Sequence, residues 1–215
     1  MSAPHVEHPH AVPPPVGLKE AKLILDSGFA AFPPRLPDQP IFYPVMNAEY
    51  ARQIARDWNT PDAGSGYAGF VTAFDVDAGY ASRFPVRTVG NSLHQELWVP
   101  AEDLATFNQH IQGPIRVTEA WYGPDYRGPD TALGPLERQF LALFKQARDL
   151  LPLLQANTAA CLLNAAWWST TPPSAQGLNP SSHRDLLDRL RQTWVTLHPT
   201  WPLPTPDANS QTGTQ

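Results

Sequence analysis

Apolar and polar positions change period several times along this chain. From Gly17 to Ser27 the residues Leu18, Ala21, Leu23, Ile24 and Leu25 fall mainly on one helical face, and Gly28 stands where a left-handed residue would close the helix. Phe29 to Phe32 is a short apolar piece stopped by Pro33-Pro34. After a loop, Ile41 to Val45 reads as an aromatic and β-branched strand, which Pro44 assigns to an edge or a bulge. Asn47 is a natural N-cap for a helix over Ala48 to Trp58, where Tyr50, Ala51, Ile54, Ala55 and Trp58 repeat at helical spacing. Period two follows: between Tyr67 and Val76, Phe70, Thr72, Phe74 and Val76 share one strand face, and Val71, Ala73 and Asp75 share the other.

The pattern then predicts an extended piece at Val86 to Val89, a turn at Gly90-Asn91 and a strand over Gln95 to Val99. A helix from Ala101 to about Asn108 and a last strand over Ile115 to Tyr122 follow. Short links between strands favour an α+β domain with antiparallel pairing over a doubly wound parallel sheet. Beyond Gly123 to Pro129 the period becomes helical: Leu136, Phe140, Leu143, Phe144, Ala147, Leu150 and Leu151 define one stretch, and Leu153 to Trp168 a second. Ser181 to Leu197 is a third, with Leu186, Leu187, Leu190, Trp194 and Leu197 as its apolar face. The expected organisation is a flexible Pro- and His-rich arm over residues 1–15, an α+β domain over 16–122, a helical segment over 130–198 and a loose tail over 199–215.

Composition narrows the classes. With 15 Lys and Arg against 20 Asp and Glu, a net charge of −5 and no basic block, the chain lacks the electrostatic footprint of a nucleic-acid binder. The 25 prolines in 215 residues are about twice the usual share, so long uninterrupted elements are not expected. No apolar run reaches the roughly 18 residues that a membrane span needs. The opening residues lack the basic and apolar regions of a secretory signal, and one cysteine, Cys161, rules out an internal disulfide framework. A cytoplasmic protein is expected.

Few residues offer chemistry. His5, His8 and His10 lie in the proline-rich arm without carboxylates or thiols to fix a metal geometry, so no metal site is expected. Cys161, in the apolar stretch Ala159 to Leu163, reads as a small buried hydrophobe, and Trp167-Trp168 as packing against the main domain. No phosphate-binding Gly-rich loop, nucleophile elbow or His-Glu-x-x-His helix is present. His94 and Glu96, two residues apart on a strand, share a face. Arg35, bracketed by Pro34 and Leu36, is placed either to bind a phosphate or to pin its loop to a carboxylate. Tyr43 and Tyr67 are candidate stacking partners for a planar ring, or core aromatics.

Pro15-Val16-Gly17-Leu18-Lys19-Glu20, Phe32-Pro33-Pro34-Arg35-Leu36-Pro37, Pro40-Ile41-Phe42-Tyr43-Pro44-Val45, Gln53 to Thr60, Gly69-Phe70-Val71-Thr72 and His94 to Pro100 carry a resemblance. Across residues 12–122 the chain resembles a family of small bacterial proteins labelled "ADP-ribosylation/crystallin J1", and through it the core of ADP-ribosyltransferases. The resemblance implies NAD bound in the cleft of a split sheet, and a protein, a small molecule or water as acceptor. In many such enzymes a strand reading Glu, apolar residues, Pro supplies the catalytic glutamate. Glu96-Leu97-Trp98-Val99-Pro100 matches it. Cleaving the bond between nicotinamide and ribose builds positive charge on the sugar, which a fixed carboxylate stabilises. The expected site is therefore Glu96 and His94 as catalytic residues, with Arg35, Tyr43 and Tyr67 binding NAD. Those enzymes also place an Arg or His on the first strand, where this chain has Pro13 and Pro14. The alternative expectation is a non-catalytic module on the same scaffold, docking a protein partner through its C-terminal helices.

Overall fold

The computed structural model describes residues 15–145 and 148–206. Helices and small, mostly antiparallel sheets make it an α+β protein. Its backbone is the long antiparallel pair of β2 (Ala68–Val76) and β6 (Ile111–Tyr122), in register from Ala68 opposite Tyr122 to Val76 opposite Ile111 with two irregularities. Phe70, Thr72, Phe74 and Val76 are all buried, as the alternation predicts. Val16 bridges Phe70 on the outer side of β2. On the other side of β6 lies β7 (Thr205–Pro206), parallel to it.

A second, smaller layer is built around residues 95–100. β4 (Gln95–Leu97) pairs antiparallel with β3 (Val86–Thr88), so that Arg87 stands opposite Glu96. The other edge of this stretch pairs with residues 41–45: β5 (Val99–Pro100) joins β1 (Ile41–Phe42), and Val45 bridges Glu96.

Local chemistry explains most helix ends. α1 (Leu18–Asp26) closes at Gly28, whose φ of 71° is left-handed, with the Phe29 amide returning to the Ile24 carbonyl. Phe29 is also left-handed at φ 61°, a strained setting for a side chain, yet its ring is buried. α2 (Ala48–Gln53) is capped by the Asn47 side chain, which accepts from the Tyr50 amide. From Ile54 to Asn59 the turns widen into a π-helix. The change of phase carries Trp58 off the apolar face predicted for it, and it is 52% exposed. Gly69 of β2 lies directly beneath this stretch, close enough that a Cβ there would stand 2.5 Å from the Ala55 backbone. α3 (Ala78–Ala81), which periodicity does not predict, is a single turn capped by Asp77. A 3-10 turn at Ala101–Asp103 leads into α4 (Leu104–Gln109).

Four helices follow instead of three: α5 (Leu136–Lys145), α6 (Leu150–Ala156), α7 (Thr158–Thr170) and α8 (Pro180–Leu197). The predicted run through Leu151 is divided because the Asp149 side chain accepts from the Leu151 amide and starts a new helix. These helices share one hydrophobic core with the β2–β6 sheet: Phe140, Trp168 and Trp194 are fully buried in the same cluster as Phe70, Phe74 and Ile115. A buried polar chain ties the loop after β6 to these helices. The Tyr126 hydroxyl donates to Asn164 Oδ1 at 2.6 Å, Asn164 Nδ2 to Gln139 Oε1 at 2.7 Å, and Gln139 Nε2 to the Gly134 carbonyl at 3.0 Å.

Part of the expected loose tail is packed. Trp201 lies 4.4 Å from the Phe29 ring and 4.9 Å from His198, which in turn packs 4.4 Å from Trp194. The extended, proline-rich chain then joins the sheet edge, where a residue without an amide proton is tolerated. The arm up to Pro14 and the residues after Pro206 lie outside the described residues.

Candidate functional site

Glu96 sits near the middle of the second layer, held between β3 and Val45. Both of its oxygens are engaged: Oε1 accepts from the Tyr50 hydroxyl at 2.8 Å, and Oε2 from the Trp98 indole N–H at 3.2 Å. Tyr50 reaches it because Asn47 starts α2 three residues earlier and ties that helix to the hairpin through a hydrogen bond from Nδ2 to the Leu93 carbonyl. Burial first, and the neighbouring carboxylate second, hold the Tyr50 phenol above its ordinary pKa, so it stays a proton donor.

His94 belongs to the same cluster. Its ring stacks on Tyr50 with centroids 4.3 Å apart, and its Nε2 lies 3.0 Å from Gln53 Oε1 and 3.3 Å from Asn91 Nδ2. A proton on Nε2 satisfies the shorter contact. Tyr43 meets the other flank, packing edge-on to Trp98 at 5.3 Å, while the Arg87 guanidinium covers the Trp98 ring at 4.1 Å. Glu96, His94 and Tyr43 are therefore gathered through Tyr50 and Trp98. Chemically, the cluster is a half-buried carboxylate oriented by two neutral donors. Each oxygen keeps a further lone pair with which to accept a hydroxyl.

Arg35 and Tyr67 are placed elsewhere. Arg35 donates to Glu20 Oε1 at 3.0 Å and to Gln39 Oε1 at 2.9 Å, so it pins its proline-bracketed loop to α1. It lines an open cleft of about 320 Å³ between α1, Pro33-Pro34 and the turn at Asp62 to Ser65. Burial raises the Glu20 carboxyl above its ordinary value, while Arg35 pulls it the other way. Tyr67 occupies a left-handed backbone position at φ 57°, packs against the main core, and accepts the Gly123 amide on its carbonyl. Neither residue touches the Glu96 cluster.

A second cleft of about 340 Å³ opens on the far side of Trp98, lined by Arg83, Phe84, Pro85, Arg87, Trp98 and Asp103 among others. Sequence reasoning missed Tyr50, Gln53, Trp98 and both arginines as members of this region. Only the period of two carried any signal here, and it linked His94 to Glu96 without naming what they face.

Cys161 is fully buried, and burial pushes its thiol pKa up to about 12. Among the described residues no three His, Cys, Asp or Glu side chains are grouped to hold a metal, and His5, His8 and His10 lie outside them. No helix among those residues is long and apolar enough to cross a membrane. Compared with known proteins, the chain matches no family model, no curated protein and no solved structure.

Proposed function

We propose that residues 16–122 form an ADP-ribosyltransferase-like unit that holds NAD or an ADP-ribosyl group at Glu96. The observation that carries this reading is the carboxylate itself: half-buried, fixed by Tyr50 and Trp98, and flanked by His94. A carboxylate so held loses little on accepting ribose hydroxyls. It also stabilises positive charge growing on the sugar as nicotinamide departs. His94 and Tyr50 act as positioning residues, and Tyr43 with Trp98 provides aromatic surface beside them.

The test is nicotinamide release from NAD by the intact protein and by Glu96→Gln, which removes the charge and keeps the shape. Turnover lost in the variant supports the reading.

A second reading, a non-catalytic module on the same scaffold, is favoured by Arg35. That cation is committed to Glu20 in a different cleft, and prolines occupy positions 13 and 14, where a basic side chain is expected. Absence of both nicotinamide release and NAD binding in the intact protein would support it. With Trp168 and Trp194 inside the core, a docking face on the C-terminal helices would rest on the exposed Phe144, Leu151 and Val195.

A further inference from the structure

The cleft beyond Trp98 has an unusual charge arrangement. Arg83 and Arg87 both line it, and among the described residues neither guanidinium has a hydrogen-bond or ion-pair partner. Each instead rests on an aromatic face: Arg87 at 4.1 Å from the Trp98 centroid and Arg83 at 5.0 Å from that of Tyr80. A guanidinium over a ring face is attracted by the ring and keeps N–H donors for another partner. Tyr80 is 7% exposed, and Trp98 is anchored by its bond to Glu96, so both platforms are rigid. Asp103 stands in the same cleft with no cation within 4.0 Å, although two arginines line the same walls. Two cations and one acceptor leave the cleft with one net positive charge.

We propose that this cleft binds a small hydroxylated phosphate ester, with Arg83 and Arg87 on the phosphate and Asp103 accepting a hydroxyl. Paired guanidinium forks match a phosphate in geometry as well as charge. Lysines would supply charge without that planar fork. The carboxylate makes the preference specific: it repels a bare anion, and it favours one carrying a hydroxyl to donate. The proposal stands on this cleft alone and holds whether or not Glu96 handles NAD.

Ribose 5-phosphate, inorganic phosphate and ribose, each titrated calorimetrically into the full chain at low salt, test it. Ribose 5-phosphate should bind most tightly and weaken as salt is raised. Arg83→Gln and Arg87→Gln should each lower its affinity about tenfold or more, and Arg138→Gln on α5 should leave it unchanged. Asp103→Asn should narrow the gap between ribose 5-phosphate and inorganic phosphate. Both arginines are exposed, so thermal unfolding of the variants should match the parent and separate lost binding from lost folding. Absence of ribose 5-phosphate binding at millimolar concentration, or binding that survives both arginine substitutions, overturns the proposal. Equal affinity for inorganic phosphate, indifferent to Asp103→Asn, overturns the role of the carboxylate.

Discussion

The Tyr50 hydroxyl donates to Glu96 Oε1 at 2.8 Å, joining α2 to β4 across 46 positions of sequence. The same phenol ring carries His94 on its face. One side chain thus sets the position of both residues that the strand pattern singles out.

Removing either end of this bond should be visible in the tyrosine spectrum. Because Glu96 adds to the effect of burial on Tyr50, Glu96→Gln should bring the phenol's ionisation down towards its ordinary value of 10. Tyr50→Phe should cost about 1–2 kcal/mol, since it leaves one carboxylate oxygen short of a donor. Ultraviolet titration in alkali reads the first effect and urea unfolding the second. An unchanged titration in Glu96→Gln would contradict the coupling.

Gly69 should not tolerate a side chain. A methyl group there meets Ala55 Cα and carbonyl oxygen at 2.5 Å, backbone atoms that cannot swing aside. Gly69→Ala should destabilise the protein by about 1–3 kcal/mol or more. Gly113→Ala is not a fair control, because φ there is 77°, whereas Gly79→Ala meets only the Asp77 carboxylate at 3.4 Å and should cost far less. Thermal unfolding of Gly69→Ala beside Gly79→Ala decides it.

His198 should make folding sensitive to acid. Burial between Trp194 and Trp201 lowers its pKa below 6.5, so near that pH the unfolded chain binds a proton that the native one does not. Stability from this group is complete above about 6.5, falls as pH drops through the window down to the lowered native value, and levels off beneath it. His198→Phe keeps an aromatic ring and removes the titration. Urea midpoints at pH 7.5 and 5.5 should therefore fall further for the parent than for this variant.

Short-range pattern made some of this architecture legible. The alternation at Phe70, Thr72, Phe74 and Val76 located β2, Asn47 located the start of α2, and Gly28 located the end of α1. Each depends on residues within one turn or one strand of each other. The widening at Ile54, the break at Asp149 and the packing of Trp201 on Phe29 do not. The first lies over a close approach at Gly69, the second comes from a side chain competing for a backbone amide, and the third is a contact made across most of the chain. The site behaves likewise. Period two paired His94 with Glu96, but Tyr50 and Trp98 are partners only in three dimensions, and Arg35 had two equal options until Glu20 proved to be beside it.

The short parallel pairing of Thr205 and Pro206 with Glu119 and Ala120 has a consequence for solubility. A chain stopped at Leu197 would bare β6 at Glu119 and Ala120, presenting unmatched amide and carbonyl groups to any strand that drifted past, including the same strand of another copy. Pro206 ends the exposure, because a proline on the rim has no amide proton to offer a newcomer. Over Glu119 and Ala120 the last described residues thus work as a selvedge, a short finished border on the sheet.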